Sequence, residues 1–140
     1  MGLVYETITL KNAADVAAAE RGYISEQEVR KTTVRALVDT GAGTMILSEE
    51  VREKLGLQIR GLREATLAND KKEVCKRTEP VEIHWKDRST TCPALISSGW
   101  GEILLGAIPL EDMDLMVDPV NQKLVGVHGD EALTLILTQM

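Results

Sequence analysis

The residues that could do chemistry lie together at Ala36-Leu37-Val38-Asp39-Thr40-Gly41-Ala42. Apolar residues run into an aspartate, then a small hydroxyl residue and a glycine, and the chain turns apolar again at Met45-Ile46-Leu47. This pattern predicts a strand buried on both sides with an acid at its end. Burying a carboxylate is costly unless a partner or a proton satisfies it. Asp39 is therefore either a structural acid with a built-in partner or a group that is used. Gly41 lets another backbone approach the acid closely.

The other chemically suggestive residues lack the spacing their chemistry needs. His84 sits mid-strand beside Trp85, and His128 with Asp130 and Glu131 has no metal-ligand spacing. Glu111, Asp112, Asp114 and Asp118 lack a calcium-loop pattern and read as helix-start charge and turn formers. Cys75 reads as a small strand residue. Ser97-Ser98-Gly99-Trp100-Gly101 lacks the Gly-x-Ser-x-Gly order of a nucleophile elbow. No metal or cofactor is expected.

A chain of 140 residues is one ordinary domain, here residues 1–140. Hydrophobic content of 44% and charged content of 27% are globular values. With 3% aromatic residues and no Phe, the core must come from Leu, Ile, Val, Ala and Met. A net charge of -6 argues against a nucleic-acid groove, and the densest basic group, Lys71, Lys72, Lys76 and Arg77, is interleaved with Asp70 and Glu73. Two cysteines, Cys75 and Cys92, fit a reducing compartment better than a disulfide framework. No apolar run suggests a leader or a membrane span, so a soluble, cytoplasmic protein is expected.

The elements that must position Asp39 are mostly short strands. Residues 3–10 alternate as a strand, and Asn12 caps a helix over 13–20 that Gly22 stops. Residues 23–31 read as a helical turn or a loop within an excursion over 11–31. Residues 32–38 form the strand that feeds the acid, and extended structure resumes over 44–47. Ser48 caps a helix with Glu49 and Glu50 in its first turn, Val51 and Leu55 facing the core and Gly56 as its stop. Strands fill 58–97, with a hairpin turn at 68–71 and a second turn at 86–88. Ile103-Leu104-Leu105-Gly106 is a second buried strand. A short helix over 109–113, strands over 115–117 and 123–127, and an apolar terminal strand over 132–137 complete the chain. The sum is a mostly β fold, a small closed barrel-like domain with two or three short helices.

Taken together, these segments resemble the retropepsin-like aspartic proteases. The matching residues are Leu37-Val38-Asp39-Thr40-Gly41-Ala42 as the acid loop and Ile103-Leu104-Leu105-Gly106 as the hydrophobic-glycine segment. The continuation through Ala107-Ile108-Pro109-Leu110-Glu111 to Leu115-Met116-Val117-Asp118-Pro119 looks like a bacterial branch of that group. The resemblance spans roughly 32–127. It implies an acid-protease fold with one lobe per chain, and hydrolysis of a peptide or protein substrate. Two close carboxyls cannot both ionise and so share one proton, one acting as base toward water and the other as acid. With one Asp-Thr-Gly per chain, the dyad is Asp39 with Asp39 of a second copy, in a homodimer.

The resemblance further implies that Thr40 bonds across the two-fold axis, and that Gly41 and Ala42 offer backbone to substrate. It makes the 64–76 hairpin, tipped by Leu67, Ala68, Asn69 and Asp70, a flap over the bound peptide. Residues 1–10 and 132–140 would be interface strands. Two departures stand out. No glycine occurs from Leu62 to Ser98, and the excursion near 13–22 exceeds the compact viral form. The alternative is a module that keeps this fold for peptide binding or dimerisation without hydrolysis.

Overall fold

The computed structural model describes residues 3–66, 70–97 and 101–129. The first strand, β1 (Tyr5–Asn12), buries Ile8 and Leu10 and turns Thr7 outward. Asn12 ends the strand and caps helix α1 (Ala13–Glu20), its Oδ1 accepting the Asp15 N–H at 3.1 Å. The same side chain is 1% exposed and donates through Nδ2 to the Leu55 carbonyl at 2.8 Å, which ties the excursion to the core. Helix α1 buries none of its residues and ends at Gly22, where φ is +79°. The stretch left open between turn and loop contains one 3-10 turn, Glu26–Glu28.

Strand β2 (Lys31–Val38) pairs antiparallel with β1 from Tyr5↔Leu37 to Lys11↔Lys31. It is not buried on both sides: Ala36 is fully buried, Leu37 and Val38 are half-buried, and Arg35 is exposed. Strand β3 (Met45–Leu47) leads into helix α2 (Glu49–Leu55), with Ser48 Oγ accepting the Val51 N–H and Gly56 closing the helix at φ +63°. Strands β4 (Ile59–Thr66) and β5 (Lys72–Trp85) form the long hairpin, and β6 (Arg88–Ile96) returns along β5. Strand β7 (Ile103–Leu105), helix α3 (Ala107–Asp112) and the small hairpin β8 (Leu115–Asp118) with β9 (Lys123–Gly126) follow.

The strands order as β1-β2-β7-β3-β6-β5-β4, and a further pairing of β1 with β5 closes six of them into a barrel. Strand β4 hangs from β5 outside the closure. Ile8, Leu10, Met45, Leu47, Leu55, Val81, Ile83 and Leu105 fill the interior at 1% exposure or less. As expected for a chain without Phe, aliphatic side chains make this core, with Trp85 at 4% its large aromatic.

Two local expectations are corrected. The turn after β5 is Lys86-Asp87, and Arg88 begins β6 as a buried residue. Helix α3 starts at Ala107 instead of 109, so Glu111 and Asp112 lie at its C-terminal end and give no helix-start charge. The cysteines are both buried thiols. The terminal segment 132–140, read as an interface strand, lies outside the described residues. Among the described residues no helix is long and apolar enough to cross a membrane.

Candidate active site

Asp39 sits where β2 gives way to the loop that returns as β3. Strand β7 runs between the two, parallel to β2 (Leu37↔Leu104, Val38↔Leu105) and antiparallel to β3 (Ile46↔Leu104). The acid loop is therefore hung from both sides of one buried strand. The Asp39 N–H donates to the Leu105 carbonyl at 3.0 Å, and the Ala42 N–H donates to the Asp39 carbonyl at 3.1 Å. Past β7 the chain turns back beneath the loop, where the Ala107 N–H donates to Ala42 O at 2.8 Å and the Ile108 N–H to Gly43 O at 3.1 Å. These bonds satisfy the loop's backbone, which a tight turn otherwise leaves unpaired.

Gly106 makes the approach possible. A Cβ there would stand 2.2 Å from Thr44 O and 2.7 Å from Ala42 O. Thus Asp39, Thr40, Gly41 and Ala42 are brought against Leu104, Leu105 and Gly106, the two segments singled out in the sequence. Thr44 anchors the far end of the loop, its hydroxyl donating to Pro93 O on β6 at 2.9 Å.

The Asp39 carboxylate is partly buried, and its Oδ1 accepts the Gly41 N–H at 2.9 Å. It forms no ion pair among the described residues. Thr40 and Gly41 are exposed, and the Thr40 hydroxyl has no hydrogen-bond partner among the described residues. The acid is thus held in place by the backbone and left chemically unspent.

The hairpin expected over 64–76 is present, with Glu64↔Val74, Ala65↔Glu73 and Thr66↔Lys72 in register. Asp70 is exposed with φ +63°, the left-handed conformation expected of a turn residue. Leu67, Ala68 and Asn69 lie outside the described residues. Leu62 and Val74 project from the hairpin into solvent at 70% and 64% exposure.

A polar cluster beside the acid strand escaped sequence reading. The Tyr5 hydroxyl donates to Glu102 Oε1 at 2.7 Å, which pushes the phenol's pKa up, and the Arg35 guanidinium lies 4.1 Å from the Tyr5 ring centre. It fixes the residue that precedes β7. Its members are 97 residues apart in the chain, so no local pattern could announce it. Burial likewise raises the pKa of the Cys92 thiol, which accepts from Thr44 at 3.8 Å, so this cysteine is a packing residue of the loop anchor.

A sequence model of the "gag-polyprotein putative aspartyl protease" family matches residues 9–119. Similar solved structures include the retroviral protease-like domain of Ddi1 from Leishmania major, 14% identical, covering 89% of this chain and 84% of that one with a TM-score of 0.54. They also include EIAV protease complexed with the inhibitor HBY-793, 18% identical, covering 79% of this chain and 88% of that one with a TM-score of 0.52. At these identities the likeness is one of fold. No curated protein sequence matches the chain.

Proposed function

The chain belongs to the gag-polyprotein aspartyl protease family and is retropepsin-like in fold, and from that premise we propose that it is an endopeptidase whose site is completed by a second copy. The observation that carries this reading is the acid loop itself. The carboxylate of the chain's one Asp-Thr-Gly is fixed by the Gly41 N–H, carried on a backbone bonded to β7, and has no counter-charge among the described residues.

Two copies meeting on a two-fold axis would place one Asp39 beside the other, and repulsion would leave a single proton on the pair. A water between them gives a proton to the ionised carboxylate as its oxygen bonds to the peptide carbonyl carbon. The protonated partner donates toward the carbonyl oxygen. Collapse of the tetrahedral species breaks the C–N bond and sends a proton to the leaving amine. Thr40, exposed and without a side-chain partner among the described residues, would bond across the axis. Gly41 and Ala42 would present backbone to the substrate. The hairpin, with Asp70 at its tip, would add a strand-like cover over the extended peptide.

The test is Asp39→Asn in a peptide-library cleavage assay. We expect loss of cleavage, on the order of a thousandfold or more, with circular dichroism and the melting temperature unchanged. Cleavage that persists in the Asp39→Asn protein overturns the reading.

A further inference from the structure

Beside the acid loop lies a cavity of about 200 Å³ into which two arginines, Arg63 and Arg77, contribute. Its other lining is mostly carbon: Leu95, Pro93 and Ile108, with Thr44 and Cys92. The position is tied to the site by bonds already described. Thr44 ends the acid loop, and the Ile108 N–H holds the Gly43 carbonyl.

Register explains why both guanidiniums face this way. Arg63 on β4 stands opposite Cys75 on β5, and Arg77 follows Cys75 by two on the same strand face, opposite Leu95 of β6. Cys75 is buried, so this is the inward face of the hairpin.

The two charges are also uncompensated. Elsewhere in the chain Arg30 pairs with Asp15, Arg52 with Glu49, Arg60 with Glu79 and Lys72 with Glu64. Arg63 and Arg77 form no ion pair or side-chain hydrogen bond among the described residues. Glu73 shares their strand face nearer the tip and does not line the cavity. Arg63 is exposed and Arg77 half-buried, so both can turn toward a ligand without a large desolvation cost.

Resting on the protease reading above, we propose that Arg63 and Arg77 form a subsite that selects substrates carrying a glutamate or aspartate side chain a few residues from the cleaved bond. An extended peptide lying over the acid loop sends alternate side chains to one face. One of them enters this cavity, where the volume suits a side chain and exceeds a bare water several-fold. A carboxylate there accepts charge-assisted bonds from planar donors and relieves the repulsion between the two guanidiniums.

The experiment uses the full chain and fluorogenic decapeptides in which Glu or Gln is placed in turn at each position flanking the cleaved bond. At one position kcat/KM should favour Glu by about tenfold, and high salt should shrink the preference. The Arg63→Gln/Arg77→Gln protein should cleave the two peptides at equal rates, and Arg63→Glu/Arg77→Glu should favour a Lys peptide over both. Melting temperatures show that each variant is folded. Asp39-dependent cleavage without any Glu preference, or a preference that survives both double variants, overturns the subsite and leaves the protease reading intact. If nothing is cleaved, the protease reading fails, and anisotropy titration of the same peptides decides the subsite: equal affinity for Glu and Gln peptides overturns it.

Discussion

Gly106 is the residue on which the acid loop's geometry turns. Its absent side chain admits the carbonyls of Thr44 and Ala42, and both belong to backbone that cannot swing aside. Gly106→Ala should therefore cost about 2–4 kcal/mol in chemical denaturation and abolish cleavage along with it. Gly43→Ala is the control in the same loop. Nothing lies within 4 Å of a Cβ there, so stability should move by no more than about 1 kcal/mol, in the stabilising direction expected when an unfolded chain loses freedom. Sequence reading marked Gly106 as the stop of an apolar strand. The contact that requires glycine is invisible locally, because Thr44 belongs to a segment remote in sequence that meets β7 only through its pairing with β3. Asp39 was legible for the opposite reason: an acid between apolar residues and Thr-Gly is a local pattern. Its exposure was misjudged, since β2 carries Arg35 and a half-buried Leu37 where a doubly buried strand was expected.

Two elements outside the barrel depend on buried or paired polar side chains. The β8–β9 hairpin hangs on Arg88, which is 5% exposed and donates from Nη1 to the carbonyls of Met113 and Asp114 and from Nη2 to that of Gly129, each at 2.8–2.9 Å. Arg88→Met takes the guanidinium from the Met113 and Gly129 carbonyls, while Asp114 O keeps the Val127 N–H, and should cost about 3 kcal/mol in denaturant. Arg88→Lys should recover little of it, since an ammonium cannot fork to three acceptors as a guanidinium does. The turn expected over 86–88 takes in Arg88, and nothing local distinguishes a solvated arginine from one aimed at carbonyls 25 or more residues away. The excursion over 11–31, tied to the core by Asn12, is closed on itself by Asp15, which accepts the Arg30 N–H and the guanidinium Nε and Nη2 at 2.8–3.0 Å. That pairing lowers the pKa of the Asp15 carboxyl. Its contribution to stability is therefore complete above the ordinary Asp value of about 3.9 and is lost as pH falls through the lowered folded value. Asp15→Asn should cost about 1 kcal/mol at neutral pH, since Arg30 is half exposed and screened. The gap to wild type should narrow as pH falls below the ordinary Asp value and close as pH passes through the lowered folded value. Melting curves across pH check this, and a gap that persists in acid would refute it. The caps at Asn12 and Ser48 and the stops at Gly22 and Gly56 were all readable, because capping is local chemistry.

At the scale of the whole molecule, alternation and turn residues sufficed for a mostly β barrel, while its closure depends on β1 meeting β5 through Thr9↔His84 to Asn12↔Val81, a pairing between segments seventy residues apart that no local pattern encodes. The closed barrel also bears on assembly. Strand β1 pairs with β2 along its length and with β5 over its last four residues, so any interface drawn from the N-terminal segment has Leu3, 68% exposed, and the free side of residues 5–8 to offer. A closed lobe with one acid loop on its surface has two ways to be active. It hydrolyses alone through a single carboxylate, or it needs its own copy. Subunit mixing separates them. Wild type and Asp39→Asn protein, unfolded together in equal amounts and refolded, assort at random if they dimerise. If each site requires both acids, only the quarter of dimers that are wild type in both halves cleave peptide, and activity per wild-type subunit falls by half. If each chain works alone, activity per wild-type subunit is unchanged by the partner. Dilution of the pure wild type gives the same decision independently, because a dimeric site loses specific activity as concentration drops through the dissociation constant and a monomeric site does not. We expect the halving and the dilution loss together. A mixture in which activity per wild-type subunit stays constant would leave Asp39 without its second copy and remove the dyad from the mechanism.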